Sequence, residues 1–261
     1  MKTLDITLEL SNICNFKCDM CFLREKDIIK GQFLKKQYID KFIKELEKSD
    51  YRIHVLKTFW AGEGMLHPEF KNIIEEFCNN KKIDIIAFDS NASVMDLDIS
   101  EFLVKMSEKK DLRIIISLDA IDENTYSKIR KGGIFENTLF NIRNLIKCKK
   151  NSDNSKLKIM IQFIVHPQNY LSLSDFILFW KKEFLPELDF NIYLNQSIAH
   201  GNGVNIRPLT IQDTSMNISQ LEANDLFEKA LKDSGIIKKN EIIHGFSQGG
   251  GIINIISGQK I

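Results

Sequence analysis

Near the start of the chain, the segment Leu10-Ser-Asn-Ile-Cys-Asn-Phe-Lys-Cys-Asp-Met-Cys-Phe22 places Cys14, Cys18 and Cys21 in a C-x-x-x-C-x-x-C spacing. Cysteine thiolates are the usual ligands of iron–sulfur clusters. Three of them on one short loop suit three irons of a [4Fe-4S] cube and leave the fourth iron open. An open iron binds a ligand and does chemistry, whereas a cube held by four cysteines mostly carries electrons. The competing reading is structural zinc, which needs four protein ligands and usually shows a second Cys or His pair at short spacing. Here Cys78 and Cys148 each stand alone, and none of the five histidines lies near the loop. A disulfide framework fits no better, because five cysteines is an odd number. With no cysteine after Cys148, one cluster is expected.

The rest of the chain must carry that loop. Its 261 residues are enough for one α/β barrel or two small domains. Lys and Arg number 36 against 35 Asp and Glu, which gives no electrostatic case for a polyanionic partner. The opening Met-Lys-Thr-Leu-Asp-Ile-Thr-Leu-Glu-Leu alternates polar and apolar residues, as a strand does and a signal peptide does not. No apolar run approaches the roughly 20 residues of a membrane span. Reduced cysteines then imply the cytoplasm, and an exposed open-iron cluster implies a low-oxygen setting.

Short apolar runs alternate with amphipathic stretches. Strands are expected at Leu4–Leu10, Ile53–Trp60, Ile83–Phe88, Leu112–Leu118, Leu157–Val165 and Asp189–Leu194. Helical periodicity falls at about Lys35–Lys48, Glu69–Asn79, Asp98–Lys109, Ile134–Lys149 and Ser172–Lys182, with a further helix at Gln220–Ser234. Such alternation implies a mainly parallel sheet curled into a partial or full barrel. Chemistry in such folds gathers at the C-terminal ends of the strands. Those ends carry the cysteine loop, Ala61-Gly-Glu-Gly64, Asp89-Ser-Asn-Ala-Ser93, Ser117-Leu-Asp-Ala120, His166-Pro-Gln-Asn169 and Asn195-Gln-Ser-Ile-Ala-His-Gly-Asn-Gly203.

From about Leu4 to Gly203 these segments resemble the radical S-adenosylmethionine (radical SAM) superfamily. The cysteine loop matches its cluster motif, Ala61-Gly-Glu-Gly64 is similar to its Gly-Gly-Glu-Pro segment, and Ser90-Asn-Ala92 stands where Thr-Asn-Gly is common. The stretch from Ser117 to Arg130 resembles the SPASM and twitch branches, whose C-terminal extensions carry extra clusters. The resemblance implies a partial (β/α)6 TIM-like barrel over residues 1–205 and a short C-terminal extension over 206–261. It implies that Cys14, Cys18 and Cys21 ligate one [4Fe-4S] cluster whose open iron is chelated by S-adenosylmethionine. Glu63 would accept hydrogen bonds from the methionyl ammonium, with Gly62 and Gly64 allowing close backbone approach. Ser117 and Arg130 would hold the carboxylate or ribose, and Asn91 the ribose. A low-potential donor such as flavodoxin or ferredoxin and a peptide or small-metabolite substrate are the implied partners. Met20 departs from the aromatic residue usual before the third cysteine, and Gly64 from the usual proline.

Other residues have plainer readings. His67 is expected beside a helix start, Cys78 and Cys148 as small hydrophobes on helices, and His166 and His200 as candidates for substrate contact. The ending His244 to Ile261 resembles the hairpin that opens an auxiliary-cluster domain, with Ser247 where a cysteine would stand. Two other functions compete with the radical enzyme: a non-catalytic relative that binds a partner, and an enzyme acting on transfer RNA. The intact cysteines and Glu63 weigh against the first, and the balanced charge against the second.

Overall fold

The structure, a computed structural model, describes residues 2–21, 31–210 and 218–237. Seven strands and seven helices occur among them: β1 (Lys2–Thr7), α1 (Lys36–Lys48), β2 (Tyr51–Lys57), α2 (Phe70–Asn79), β3 (Ile83–Ser90), α3 (Leu97–Lys109), β4 (Asp111–Ser117), α4 (Glu123–Ile129), α5 (Phe135–Lys150), β5 (Lys158–Val165), α6 (Leu173–Phe184), β6 (Asn191–Leu194), β7 (Gly203–Pro208) and α7 (Gln220–Asp233). The chain is an α/β fold of parallel strands that divides into two compact units. The first comprises residues 1–15, 27–116 and 137–159; the second comprises 16–26, 117–136 and 160–261.

In the first unit β1, β2, β3 and β4 pair in sequence order, with Leu4 opposite Ile53, Ile53 opposite Ile83 and Ile86 opposite Leu112. Ile53, Leu56, Ile83, Ile86, Leu112, Ile114 and Ile116 are wholly buried. Near-continuous apolar runs are the signature of strands covered on both faces, and each such side chain is worth about 1.5–3 kcal/mol of transfer free energy. Helix α2 turns Ile73, Ile74, Phe77 and Cys78 inward. Asp96 caps α3 by accepting from Ile99 N at 2.9 Å.

In the second unit β7 lies between β5 and β6, parallel to both, with Gln162 and Tyr193 each opposite Asn205. Residues 195–202 carry the chain from the end of β6 back to the start of β7. Gly203 makes that return possible: its φ is +140°, and a Cβ there would sit 1.9 Å from Asn191 O. Helix α6 packs an aromatic row on this sheet, with Phe176 edge-on to Phe163 at 4.8 Å between centroids and Trp180 beyond it.

The expected strands and helices are present with ends shifted by a few residues. Two elements were not foreseen. Helix α4 is too short to show periodicity, and β7 begins at a glycine that the sequence reading assigned to a loop. Ser172 precedes α6 but its hydroxyl donates to Asn169 O at 2.8 Å and caps nothing. The hairpin expected from His244 to Ile261 lies outside the described residues. Among the described residues no helix is long and apolar enough to cross a membrane.

Candidate functional site

The first unit gathers five of the expected residues, Cys14, Gly62, Glu63, Gly64 and Asn91. Its foundation is Glu9, which accepts hydrogen bonds from the amides of Ala61 (2.5 Å) and Gly62 (3.1 Å). The loop after β2 is thereby pressed onto the start of the cysteine segment, and Glu63 N donates to Ile13 O at 2.8 Å. A Cβ on Gly62 would lie 2.1 Å from Ser11 O, so this approach needs glycine. Gly64 differs: a Cβ there meets nothing nearer than Thr58 O at 3.4 Å, an ordinary contact. Within the chain, a close approach that needs glycine occurs at Gly62 and not at Gly64.

Glu63 is 2 % exposed. One carboxylate oxygen accepts from Ser90 Oγ (3.0 Å) and Met65 N (3.2 Å), the other from Asn91 N (2.7 Å). Burial pushes its carboxyl up from the usual range, and these donors offset only part of that. Asn91 continues the chain of contacts: its Nδ2 donates to Asn15 Oδ1 (3.0 Å) and to Cys14 Sγ (3.8 Å). Asn91 Oδ1 accepts from the amide and hydroxyl of Ser93, at 2.9 and 2.6 Å. Next to it Ala92 holds φ +57°, a left-handed conformation that explains why glycine is common at this place in the motif.

The second unit gathers Cys18, Cys21 and Arg130. The cysteine segment is clamped to the end of α4, with Lys17 N donating to Lys131 O (2.8 Å) and Asp19 N to Ile129 O (3.1 Å). Cys21 N donates to Cys18 O at 3.1 Å, which turns the loop between those two cysteines. Arg130 follows α4 as its C-cap, and its buried guanidinium donates through Nη1 to Cys18 Sγ at 3.6 Å. Its Nε donates to Asp119 Oδ2 at 2.6 Å, and its Nη2 pairs with the same oxygen. The resemblance implied that Arg130 holds the ligand's carboxylate or ribose; in the structure its Nε and Nη2 meet Asp119. Burial opposes the charge of Arg130, yet Asp119 and Cys18 beside it outweigh that and raise its pKa. Burial likewise pushes the Cys18 thiol up, with Arg130 pulling the other way.

Asp119 and Ser90 are the partners that the sequence reading left without a role. Asp119 is wholly buried, sits at φ +63° just after β4, and accepts from Ile164 N at 2.6 Å through its other oxygen. Asn169 Nδ2 ties Asp119 O to Ile164 O at 2.9 Å each. A buried acid eleven residues before an arginine was a legible hint only in hindsight, since helix α4 brings them together. Ser117 is not among this group; its hydroxyl accepts from Gln162 Nε2 at 3.2 Å. His67 is structural, with Nε2 against Leu34 O and Nδ1 accepting from Glu69 N. Burial on α2 pushes the Cys78 thiol up to about 12, so it stays protonated as a small hydrophobe.

Do these residues suit an iron–sulfur cluster? The donor set answers from the sulfur side. Cys14 and Cys18 each have a side-chain N–H directed at Sγ, and N–H···S contacts favour thiolate over thiol and tune a bound cluster. Glu63 is a buried carboxylate whose described partners are a hydroxyl and two amides, without a cation. That arrangement suits a positively charged group brought by a ligand. The residues fit.

Residues 8–169 match the Radical SAM superfamily. The chain is 24 % identical over 172 residues to the tungsten-containing aldehyde ferredoxin oxidoreductase cofactor-modifying protein of Pyrococcus furiosus, covering 64 % of this chain and 45 % of that one. It is 26 % identical over 132 residues to the GTP 3',8-cyclase of Microcystis aeruginosa, covering 48 % and 37 %. The chain thus spans less than half the length of these curated relatives. Among solved structures, the histidine-tagged form of anSMEcpe with bound AdoMet superposes with a TM-score of 0.61 at 18 % identity, over 89 % of this chain and 58 % of that one. At that identity the likeness shows the fold, an open parallel α/β sheet of the kind found in partial TIM-like barrels.

Proposed function

This chain belongs to the radical SAM superfamily, and from that membership we propose that it is an enzyme holding one [4Fe-4S] cluster on Cys14, Cys18 and Cys21. A cluster held there would supply one electron for reductive cleavage of S-adenosylmethionine to methionine and a 5′-deoxyadenosyl radical, the species that would take hydrogen from the substrate. The chain's own residues prepare this. Asn91 and Arg130 direct N–H groups at the sulfurs of Cys14 and Cys18. Glu63 accepts the methionyl ammonium, Gly62 keeps its loop against the cysteine segment, and Gly64 begins the turn that follows. Asn91 would contact the ribose, and Ser117 would hold the carboxylate or ribose. Arg130, engaged by Asp119, positions Cys18 and fixes the end of α4, and it is not spent on a ligand carboxylate. A flavodoxin- or ferredoxin-like donor supplies the electron, and the substrate is a peptide or small metabolite.

The observation that carries this reading is the continuous run from buried Glu63 through Asn91 to Cys14. It joins the one cation-seeking carboxylate of the motif to a cluster cysteine. Electron paramagnetic resonance of the reconstituted, reduced protein tests it. A cluster signal that shifts on adding S-adenosylmethionine, and stops shifting in Glu63→Gln, is expected. A colourless protein containing only zinc overturns the proposal, and about eight irons per chain overturns the single cluster.

A further inference from the structure

The β5–β7–β6 sheet has two unlike faces. On one, Phe163 meets Phe176 of α6, and Ile161, Val165, Val204 and Ile206 are buried. Strand residues alternate between faces, so Gln162 and Ile164 of β5 and Asn205 and Arg207 of β7 share the other. Registers of Gln162 with Asn205 and Ile164 with Arg207 set these four side by side. A face that served only as core would be apolar. This one carries three polar side chains beside Ile164, and two of them are hidden from water, Gln162 at 3 % and Asn205 at 0 % exposure.

Its contacts are organised around Arg207. Gln162 Oε1 accepts from Arg207 Nη1 at 3.3 Å and from Asn205 Nδ2 at 3.5 Å. Asn195 Oδ1 accepts from Arg207 Nε at 3.4 Å, and Asn195 holds φ +50° at the end of β6 to do so. Asn205 secures the neighbouring loop, exchanging hydrogen bonds with the backbone of Gln196 at 3.0 Å in each direction. Arg52, Arg113 and Arg130 each face a carboxylate. Arg207 is half-buried, and among the described residues its partners are two amide oxygens at long range and no acid. A guanidinium withdrawn from water without a counter-ion is unfavourable unless a ligand supplies one. A left-handed asparagine held beside it marks a built corner, since such strain persists only where the surroundings enforce it.

We propose that this face is a subsite for a carboxylate of the substrate, with Arg207 as the bidentate fork and Gln162 and Asn195 setting its plane. Its place in catalysis rests on the radical reading above; its ligand chemistry does not. Gln162 links the two, because its Nε2 reaches Ser117, the residue assigned to the cofactor side.

The test is an NMR titration of the arginine Nε–H signals in the ¹⁵N-labelled full-length chain. Sodium acetate, sodium phosphate and sodium chloride are compared at matched ionic strength. The Arg207 signal, identified by its loss in Arg207→Lys, should move saturably with acetate while those of Arg52 and Arg113 stay still. Gln162→Glu supplies an internal carboxylate and should weaken the acetate response at least several-fold. No movement, equal movement with chloride, or an unchanged response in Gln162→Glu overturns the subsite. A stronger saturable response to phosphate overturns the carboxylate assignment. Because the titration requires no turnover, its failure leaves the cofactor reading standing, and a chain that loads no cluster leaves the titration readable.

Discussion

The two units treat a buried acid beside a cysteine in opposite ways. In the first, Glu63 is surrounded by a hydroxyl and amides, and the group that reaches Cys14 is the neutral amide of Asn91. In the second, Asp119 is matched by Arg130, and it is the guanidinium that reaches Cys18. A buried acid with its cation already in place is framework: its desolvation is offset within the chain, and removing either partner strands a charge. A buried acid without one has its electrostatics left open for a visitor. The contrast makes Glu63 the acid suited to a ligand's cation and Asp119 part of the architecture, although both follow the ends of strands.

Breaking the framework acid should have the largest effect. Asp119→Ala leaves Arg130 buried without its partner and should cost about 3–5 kcal/mol of stability, read from the urea midpoint of the cluster-free chain. If that midpoint barely moves, the distinction between the two acids fails. Glu63→Gln should do the reverse, weakening S-adenosylmethionine binding by about 10- to 100-fold, the worth of a charged hydrogen bond of roughly 1.5–3 kcal/mol, while leaving the fold intact.

The same variant sharpens the comparison through pH. Burial raises the carboxyl of folded Glu63, so the folded chain holds that proton more tightly than the unfolded one. Its stabilising contribution is complete below the unfolded value of about 4.3 and is lost as pH rises through the higher folded value. Urea midpoints of the cluster-free protein should therefore fall less with rising pH in Glu63→Gln than in the parent, and parallel curves would remove the electrostatic argument.

Smaller effects separate the two glycines that flank Glu63. Gly62→Ala forces a methyl against Ser11 O and should cost about 1–3 kcal/mol, as overpacking does. Gly64→Ala should stay within about 0.5 kcal/mol. Thermal unfolding of the pair measures the difference. Least of all, Ala92→Gly relieves a left-handed alanine and should raise stability by about 0.5 kcal/mol, part of the relief being lost to the freer unfolded chain.

The outline of this site was legible because its residues belong to local patterns. Three cysteines within eight residues, a glutamate between glycines and an asparagine after a strand all announce themselves in a few letters. Gly64 read the same as Gly62, because spacing records a glycine without recording what its Cβ would strike. Strand β7 was missed for a related reason. Gly203 reads as loop, and only the need to pass Asn191 O makes it the first residue of a strand.

Sequence alone carried the three-cysteine motif, the alternating strands and helices, and the family. Each depends on residue type at short range, where chemistry and periodicity act directly. Tertiary structure alone decided which carboxylate is neutralised. The pairing of Asp119 with Arg130, the donors around Glu63 and the amide partners of Arg207 are all facts of burial and long-range contact. Charge is printed in the sequence, but the partner that cancels it, or fails to, is chosen only when the chain folds.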